Sequence, residues 1–302
     1  MFVQRRQYGV LIQAPAKLNL FFEVLARRAD GFHEIETLMC PISLFDTLVC
    51  RPNPEGAFSL SVHAGAGDGA SLLEDVPSDG RNLALRAVLA LRAASGTQQG
   101  ADLSLCKRIP SAAGLGGGSS DAAAALVAAN LAWGLDWPRA RLAELAAPLG
   151  SDVPFFLEGG MAVCRGRGER LAPVEGGGHL HFVVVRPPEG LSTAAVYGRC
   201  TPAARPRSVE PLLSDLRAGH DPSGSLHNQL EPAAGELSAW IDRLRQAFAS
   251  VGCRARQMSG SGSSYFGIFP TARAALSAAN RLRSQGLGQV SKTRSAVSRS
   301  VP

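Results

Sequence analysis

The chain has 302 residues, 45% hydrophobic and 19% charged, with a net charge of +6 and a pI near 9.3. That length suits one large domain or two modest ones, and the basic balance fits an anionic small molecule or nucleic acid without choosing between them. No apolar run reaches about 18 residues, which excludes a membrane span. The six cysteines include no C-x-x-C pair, so they read as buried thiols in a reducing compartment, not as a disulfide framework. The first residues, Met-Phe-Val-Gln-Arg-Arg-Gln-Tyr, carry no apolar signal core, and a cytoplasmic location is expected.

Taken in order, Val10–Ile12 begins a strand that continues through Pro15-Ala16-Lys17-Leu18-Asn19 into the mostly apolar stretch Leu18–Leu25. Lys17 and Asn19 are polar groups entering a core. Asp30-Gly31 is a turn signal, and Phe32-His33 beside it offers an aromatic face and a hydrogen-bonding ring to a planar ligand. Two strands are expected next, Glu34–Leu38 and Ile42–Val49, with a bend at Phe45-Asp46. Phe58–Val62 alternates as a strand, and the Gly/Asp/Ser-rich stretch 64–80 reads as loop. Asn82–Ala94 has helical spacing with Gly96 as a stop.

Asp102–Lys107 is the strand that feeds the most distinctive segment, Pro110-Ser111-Ala112-Ala113-Gly114-Leu115-Gly116-Gly117-Gly118-Ser119-Ser120. Clustered glycines let the backbone take positive φ and let a ligand approach the main chain. The alanine-rich helix expected over Asp121–Leu131 places its unpaired N–H groups and positive dipole end at the same point. That combination binds phosphate. The loop is neither a Walker A motif, lacking Gly-Lys-Ser/Thr, nor a G-x-G-x-x-G fingerprint, whose spacing fails at Ser119. A phosphate loop with no lysine of its own needs positive charge from elsewhere; Lys107 and Lys17 are the candidates.

A helix over Arg139–Ala147 is followed by Gly150-Ser151-Asp152-Val153-Pro154-Phe155-Phe156, where Ser151 or Asp152 is placed to cap a helical turn. Met161–Cys164, Arg170–Val174 and His181–Val185 read as strands of a second part; His179 and His181 read as surface residues for want of a third ligand. Pro187–Thr193 leads into a helix carrying Tyr197. A long helix is expected from His227 to Phe248. A second glycine–serine cluster, Ser259–Ser264, follows a short strand, and Ala272–Gln285 is a helix. From Gly286 onward Ser and Arg dominate, and disorder is expected.

Four of these blocks together resemble the galactokinase, homoserine kinase, mevalonate kinase and phosphomevalonate kinase (GHMP) superfamily. They are Pro15–Leu20, Arg28–His33, Gly150–Phe156 and Ser259–Gly262, beside the glycine loop Pro110–Ser120. The glycine loop carries the superfamily, and Lys17-x-Asn19 with Asp30-Gly31-Phe32-His33 is similar to the branch that phosphorylates the 2-hydroxyl of a CDP-methylerythritol in non-mevalonate isoprenoid synthesis. The resemblance spans about residues 10–285. It implies an α+β, two-domain fold: an N-terminal domain (1–160) with the ATP loop, a C-terminal α/β sandwich domain (161–286), and a disordered basic tail (287–302). It implies Asp152 as the base on the acceptor hydroxyl and Lys17 as its charge partner. Pro110–Ser120 would hold ATP, with Ser120 reaching Mg²⁺ or a phosphate. Phe32 would stack on cytosine, His33 would bond its edge, and Asn19 would lie beside the diphosphate. No acidic residue matches the metal ligand of other members. The protein would act as a monomer or homodimer on a small molecule, with no nucleic acid or membrane partner. Homoserine- or mevalonate-type kinases fit less well, since neither substrate has a base for Phe32 to stack on. A nucleic-acid-binding protein fits less well too, since its groove excludes a carboxylate such as Asp152.

Overall fold

The computed structural model describes residues 1–65, 73, 76–176 and 178–296; most of the loop expected over 64–80 lies outside them. The N-terminal half contains β1 (Phe2–Arg6), β2 (Gly9–Arg27), β3 (His33–Asn53), β4 (Phe58–Ala64), α1 (Leu83–Ser95), β5 (Gly100–Lys107), α2 (Gly117–Ala132), α3 (Arg139–Ala146) and α4 (Val153–Glu158). There follow β6 (Ala162–Gly166), β7 (Arg170–Pro173), β8 (His181–Arg186), α5 (Thr193–Arg199), α6 (Glu210–Ala218) and β9 (His227–Asn228). The chain closes with α7 (Leu230–Leu237), α8 (Trp240–Ala249), β10 (Ala255–Met258), β11 (Tyr265–Phe269), α9 (Ala272–Arg283) and β12 (Gln289–Arg294).

The first sheet runs β1-β2-β3-β5-β4, with β6 on the far half of β3, β7 beyond it, and β9 parallel to β2. β2 and β3 form one long antiparallel ribbon with register shifts between Pro15 and Ala16, Asn19 and Phe21, and Val24 and Ala26. Each shift bends the ribbon, so one half pairs with β5 and the other with β6. The two strands expected on either side of Phe45-Asp46 are therefore a single strand, and the expected bend is the first of these bulges. β4 and β5 are parallel, joined across α1, which Asn82 caps by accepting from the Ala84 amide at 2.9 Å. The second sheet runs β10-β11-β8-β12, all antiparallel.

The buried apolar residues form three clusters, one of which spans both halves. Sheet one packs on α1, α2 and α4; sheet two packs on α7, α8 and α9. Between them Leu18, Leu20, Phe21 and Leu38 of the ribbon meet Phe182, Phe266 and the α6 leucines. The alanine-rich α2 is buried on nearly every face, which side chains this small allow in close contact with neighbouring elements.

Several sequence expectations are corrected. β6 and β7 belong to the first sheet, because the bent β3 offers them an edge. His227–Phe248 is not one helix: His227 and Asn228 extend β2's edge, and the helical stretch breaks at Ser238 into α7 and α8. The chain after Gly286 does not begin disordered. Gln289–Arg294 pairs with β8 in full register, Ser295 Oγ accepts from the Leu180 amide at 3.1 Å, and the Ala296 amide donates to Pro41 O at 2.8 Å. A polar segment of weak propensity becomes a strand because β8 supplies the backbone partners. Residues 297–302 lie outside the described ones. Among the described residues no helix is long and apolar enough to cross a membrane, and all six cysteines are free.

Candidate active site

The glycine loop is built by its base. Lys107 ends β5, and its ammonium, buried beneath the loop, is bound by Asp46 of β3 and, at 2.7 Å, by Asp121 in the first turn of α2. Asp46 Oδ1 also accepts from the amides of Arg108 and, at 2.9 Å, Ile109. Strand, loop base and helix are thus pinned to one another. Burial, reinforced by Asp46, raises the Asp121 carboxyl, while Lys107 opposes that shift. Lys107 thus has its charge held by two carboxylates while it also lines the cavity over the loop.

The loop turns at Gly114 and Gly116, with φ of +72° and +71°. A Cβ on Gly114 would lie 2.2 Å from Ser259 O, and one on Gly116 would press on Phe156 and Lys17. α2 begins at Gly117 rather than Asp121, with Gly116 at its N-cap and no side-chain capping bond. Its first amides are left to a ligand. Ser119 lines a cavity of about 300 Å³ over this turn, together with Pro110–Gly114 and Gly116–Gly118. Ser120, by contrast, is fully buried and its hydroxyl has no partner among the described residues; Ser119 lines the cavity. Leu115 faces the core and accepts from the Lys17 amide at 2.9 Å, tying β2 to the loop.

A second, larger cleft of about 640 Å³ shares Ala112, Gly114 and Gly116 with the first. At this shared wall sit Lys17 and Asp152, with Nζ and Oδ2 3.6 Å apart. Lys17 is 4% exposed and the Asp152 side chain 28%. Asp152 occupies the N-cap position of α4 yet makes no capping bond; its carboxylate turns to Lys17 instead. Asn19 is fully buried. Thr37 donates to Phe21 O at 2.6 Å, so its hydroxyl oxygen accepts from the Asn19 amide at 2.8 Å. That orientation leaves Asn19 Oδ1 to accept from Lys17 Nζ. Asn19 thus aims the lysine. The Ser259–Ser264 loop closes the wall from the other half: Ser259 Oγ donates to Gly114 O at 3.0 Å and the Ser264 amide to Ala113 O at 3.2 Å.

The far end of the cleft is aromatic. Phe32 is 51% exposed on the β2–β3 turn, where Asp30 accepts from its amide at 3.1 Å. His33 lies 4.9 Å from the Tyr197 ring of α5, tilted 33°. Burial and the nearby Arg27 charge hold the His33 imidazole below its ordinary value, so at neutral pH it presents one donor and one acceptor nitrogen. Tyr197 was only a helix residue in the sequence; a lone tyrosine on a seven-residue helix carries no pattern that marks a site. Arg167, from the β6–β7 turn, also lines this cleft and gave no sequence signal.

The fold and this pair of cavities define a small-molecule kinase of the GHMP class. The model for the GHMP kinases N terminal domain matches residues 82–160, and that for the GHMP kinases C terminal domain matches 207–287. A 4-diphosphocytidyl-2-C-methyl-D-erythritol kinase from Pelotomaculum thermopropionicum is 42% identical over 274 residues, covering 89% of this chain and 92% of its own. A crystal structure of 4-(cytidine 5'-diphospho)-2C-methyl-D-erythritol kinase superposes with a TM-score of 0.77 at 37% identity, covering 95% and 99%. The chain belongs to the 4-diphosphocytidyl-2-C-methyl-D-erythritol kinase family. The L. major mevalonate kinase shares the fold, with a TM-score of 0.73 at 15% identity over 98% of this chain and 97% of its own.

Proposed function

We propose that this protein transfers the γ-phosphoryl group of ATP to the 2-hydroxyl of 4-diphosphocytidyl-2-C-methyl-D-erythritol, supplying isoprenoid precursor synthesis. The observation that carries it is the joining of two cavities at Gly114 and Gly116, with Lys17 and Asp152 at the junction and an aromatic pocket at the far end of the larger one. ATP would lie over the Pro110–Ser119 loop, its phosphates on the first amides of α2. The acceptor would enter with its base between Phe32 and the His33–Tyr197 pair.

In this reading Asp152 accepts the proton of the acceptor hydroxyl as the new P–O bond forms. Lys17, aimed by Asn19, keeps the carboxylate in line and offsets charge on the transferring group. Phosphoryl transfer needs positioning and charge neutralisation above all. Asn19, which also lines the cleft, acts through Lys17, since its Oδ1 accepts from Lys17 Nζ and its amide donates to Thr37. Mg²⁺ would neutralise phosphate charge; among the described residues no three His, Cys, Asp or Glu side chains converge on a metal site. The ion would therefore be held mainly by nucleotide oxygens, with the Ser119 hydroxyl beside them.

The test is an ADP-release assay with ATP, Mg²⁺ and the CDP-linked alcohol. Turnover is expected with that acceptor and not with homoserine or mevalonate; the reverse preference would overturn the reading.

A further inference from the structure

We infer that Arg167 is the residue that reads the diphosphate of the acceptor, a specificity contact at mid-cleft; the inference rests on the cytidine-diphosphate reading above. Three basic side chains line the acceptor cleft among the described residues: Lys17, Arg27 and Arg167. Lys17 is held by Asp152 and Asn19 at the reacting end. Arg27 lies beside His33 at the base end, where its charge depresses the imidazole. Arg167 stands between. Its guanidinium carbon is 4.9 Å from the centroid of the Phe32 ring. The next residue, Gly168, packs against the base: a Cβ there would lie 3.7 Å from Asp152 Oδ1 and 3.6 Å from Ser151 Cβ. One tight turn therefore touches both ends of the cleft.

The turn is also bonded within itself. Gly166 and Gly168 hold φ of +76° and +117°, and the Arg167 amide donates to Glu169 Oε2 at 2.6 Å. Arg167 has no ion pair of its own among the described residues. Asp30, the carboxylate nearest in influence, is already bound by Arg28 at 3.1 Å and by the Phe32 amide. A guanidinium stacked on an aromatic face keeps its N–H edge free, and that edge matches two phosphate oxygens at once. In a ligand whose base sits at Phe32 and whose hydroxyl sits at Asp152, the part between is the diphosphate. An apolar chain at that place would leave Arg167 unanswered.

The test compares CDP with CMP as ligands of the full chain, by calorimetry, in the wild type, Arg167→Met and Arg167→Lys. Wild type should bind CDP more tightly than CMP. Arg167→Met should lose about tenfold or more of CDP affinity while CMP changes little, in line with a lost charge-assisted hydrogen bond. Arg167→Lys should recover part of the loss, since it keeps the charge and not the fork. In turnover, the KM for the CDP-linked alcohol should rise in Arg167→Met while the KM for ATP stays. If wild type binds neither nucleotide, the cytidine-diphosphate reading itself fails. If it binds both and Arg167→Met keeps the full preference for CDP, Arg167 is not the diphosphate contact.

Discussion

Asp152 and Lys17 are separated by most of the first domain in sequence and by 3.6 Å in space. Asp152→Asn keeps the shape of the junction and removes the proton acceptor. Turnover should fall by about 10²–10⁴-fold with ATP affinity nearly unchanged, measured by single-turnover kinetics beside nucleotide binding. At the other end, His33 is held below its ordinary value by burial and Arg27. Its neutral form therefore persists as pH falls past about 6.5, the ordinary imidazole value. KM for the CDP-linked alcohol should stay flat from pH 8 to 6.5 and rise only below that. A rise already centred at 6.5 or above would mean that His33 does not hold the base in its neutral form. In the sequence Asp152 read as a helix cap and His33 as a loop residue beside an aromatic; their functional roles were expected only through the resemblance of their blocks to the GHMP superfamily. Tyr197 and Arg167 have ordinary neighbours and only acquire meaning from what faces them.

Among the elements, the glycine loop depends on the Asp46–Lys107–Asp121 cluster beneath it. Asp46→Ala would leave Lys107 with one carboxylate and take the acceptor from two amides, the buried one of Ile109 and the part-buried one of Arg108. A loss of about 3–5 kcal/mol is expected from breaking a buried pair of this kind, read as a lower denaturation midpoint. The KM for ATP should rise at the same time, because the same group sets the loop's height over α2. The loop and its helix were legible from glycine clustering and alanine propensity. The clamp was not, since Asp46 lies 61 residues before Lys107 and reads there as an ordinary bend residue.

Over the whole molecule, the two sheets are joined through a shared core and through chain ends that return to earlier strands. β12 covers the edge of β8, and Ser295 bridges to Ile42 of β3. Removing residues 289–302 should therefore lower the melting temperature and expose an unpaired β8 edge, seen as aggregation on heating. A truncated chain as stable as the full one would mean that β12 adds nothing to the fold.

The sequence by itself determined the local chemistry: which segment binds phosphate, which helix follows it, and which residues carry a proton acceptor, a cation and a stacking face. The phosphate loop and its helix follow from propensities and glycine freedom, properties of a few neighbouring residues, whereas the roles of Asp152, Lys17 and Phe32 were expected only from the resemblance to the GHMP superfamily. Tertiary structure alone decided that Lys17 pairs with Asp152 and Asn19 while Lys107 is held between two other carboxylates, that the two glycine–serine loops lock together, and that a polar tail becomes a strand. Each of these depends on a partner far along the chain. A group's charge environment and hydrogen-bond partners exist only once the bent β2–β3 ribbon has brought those partners together.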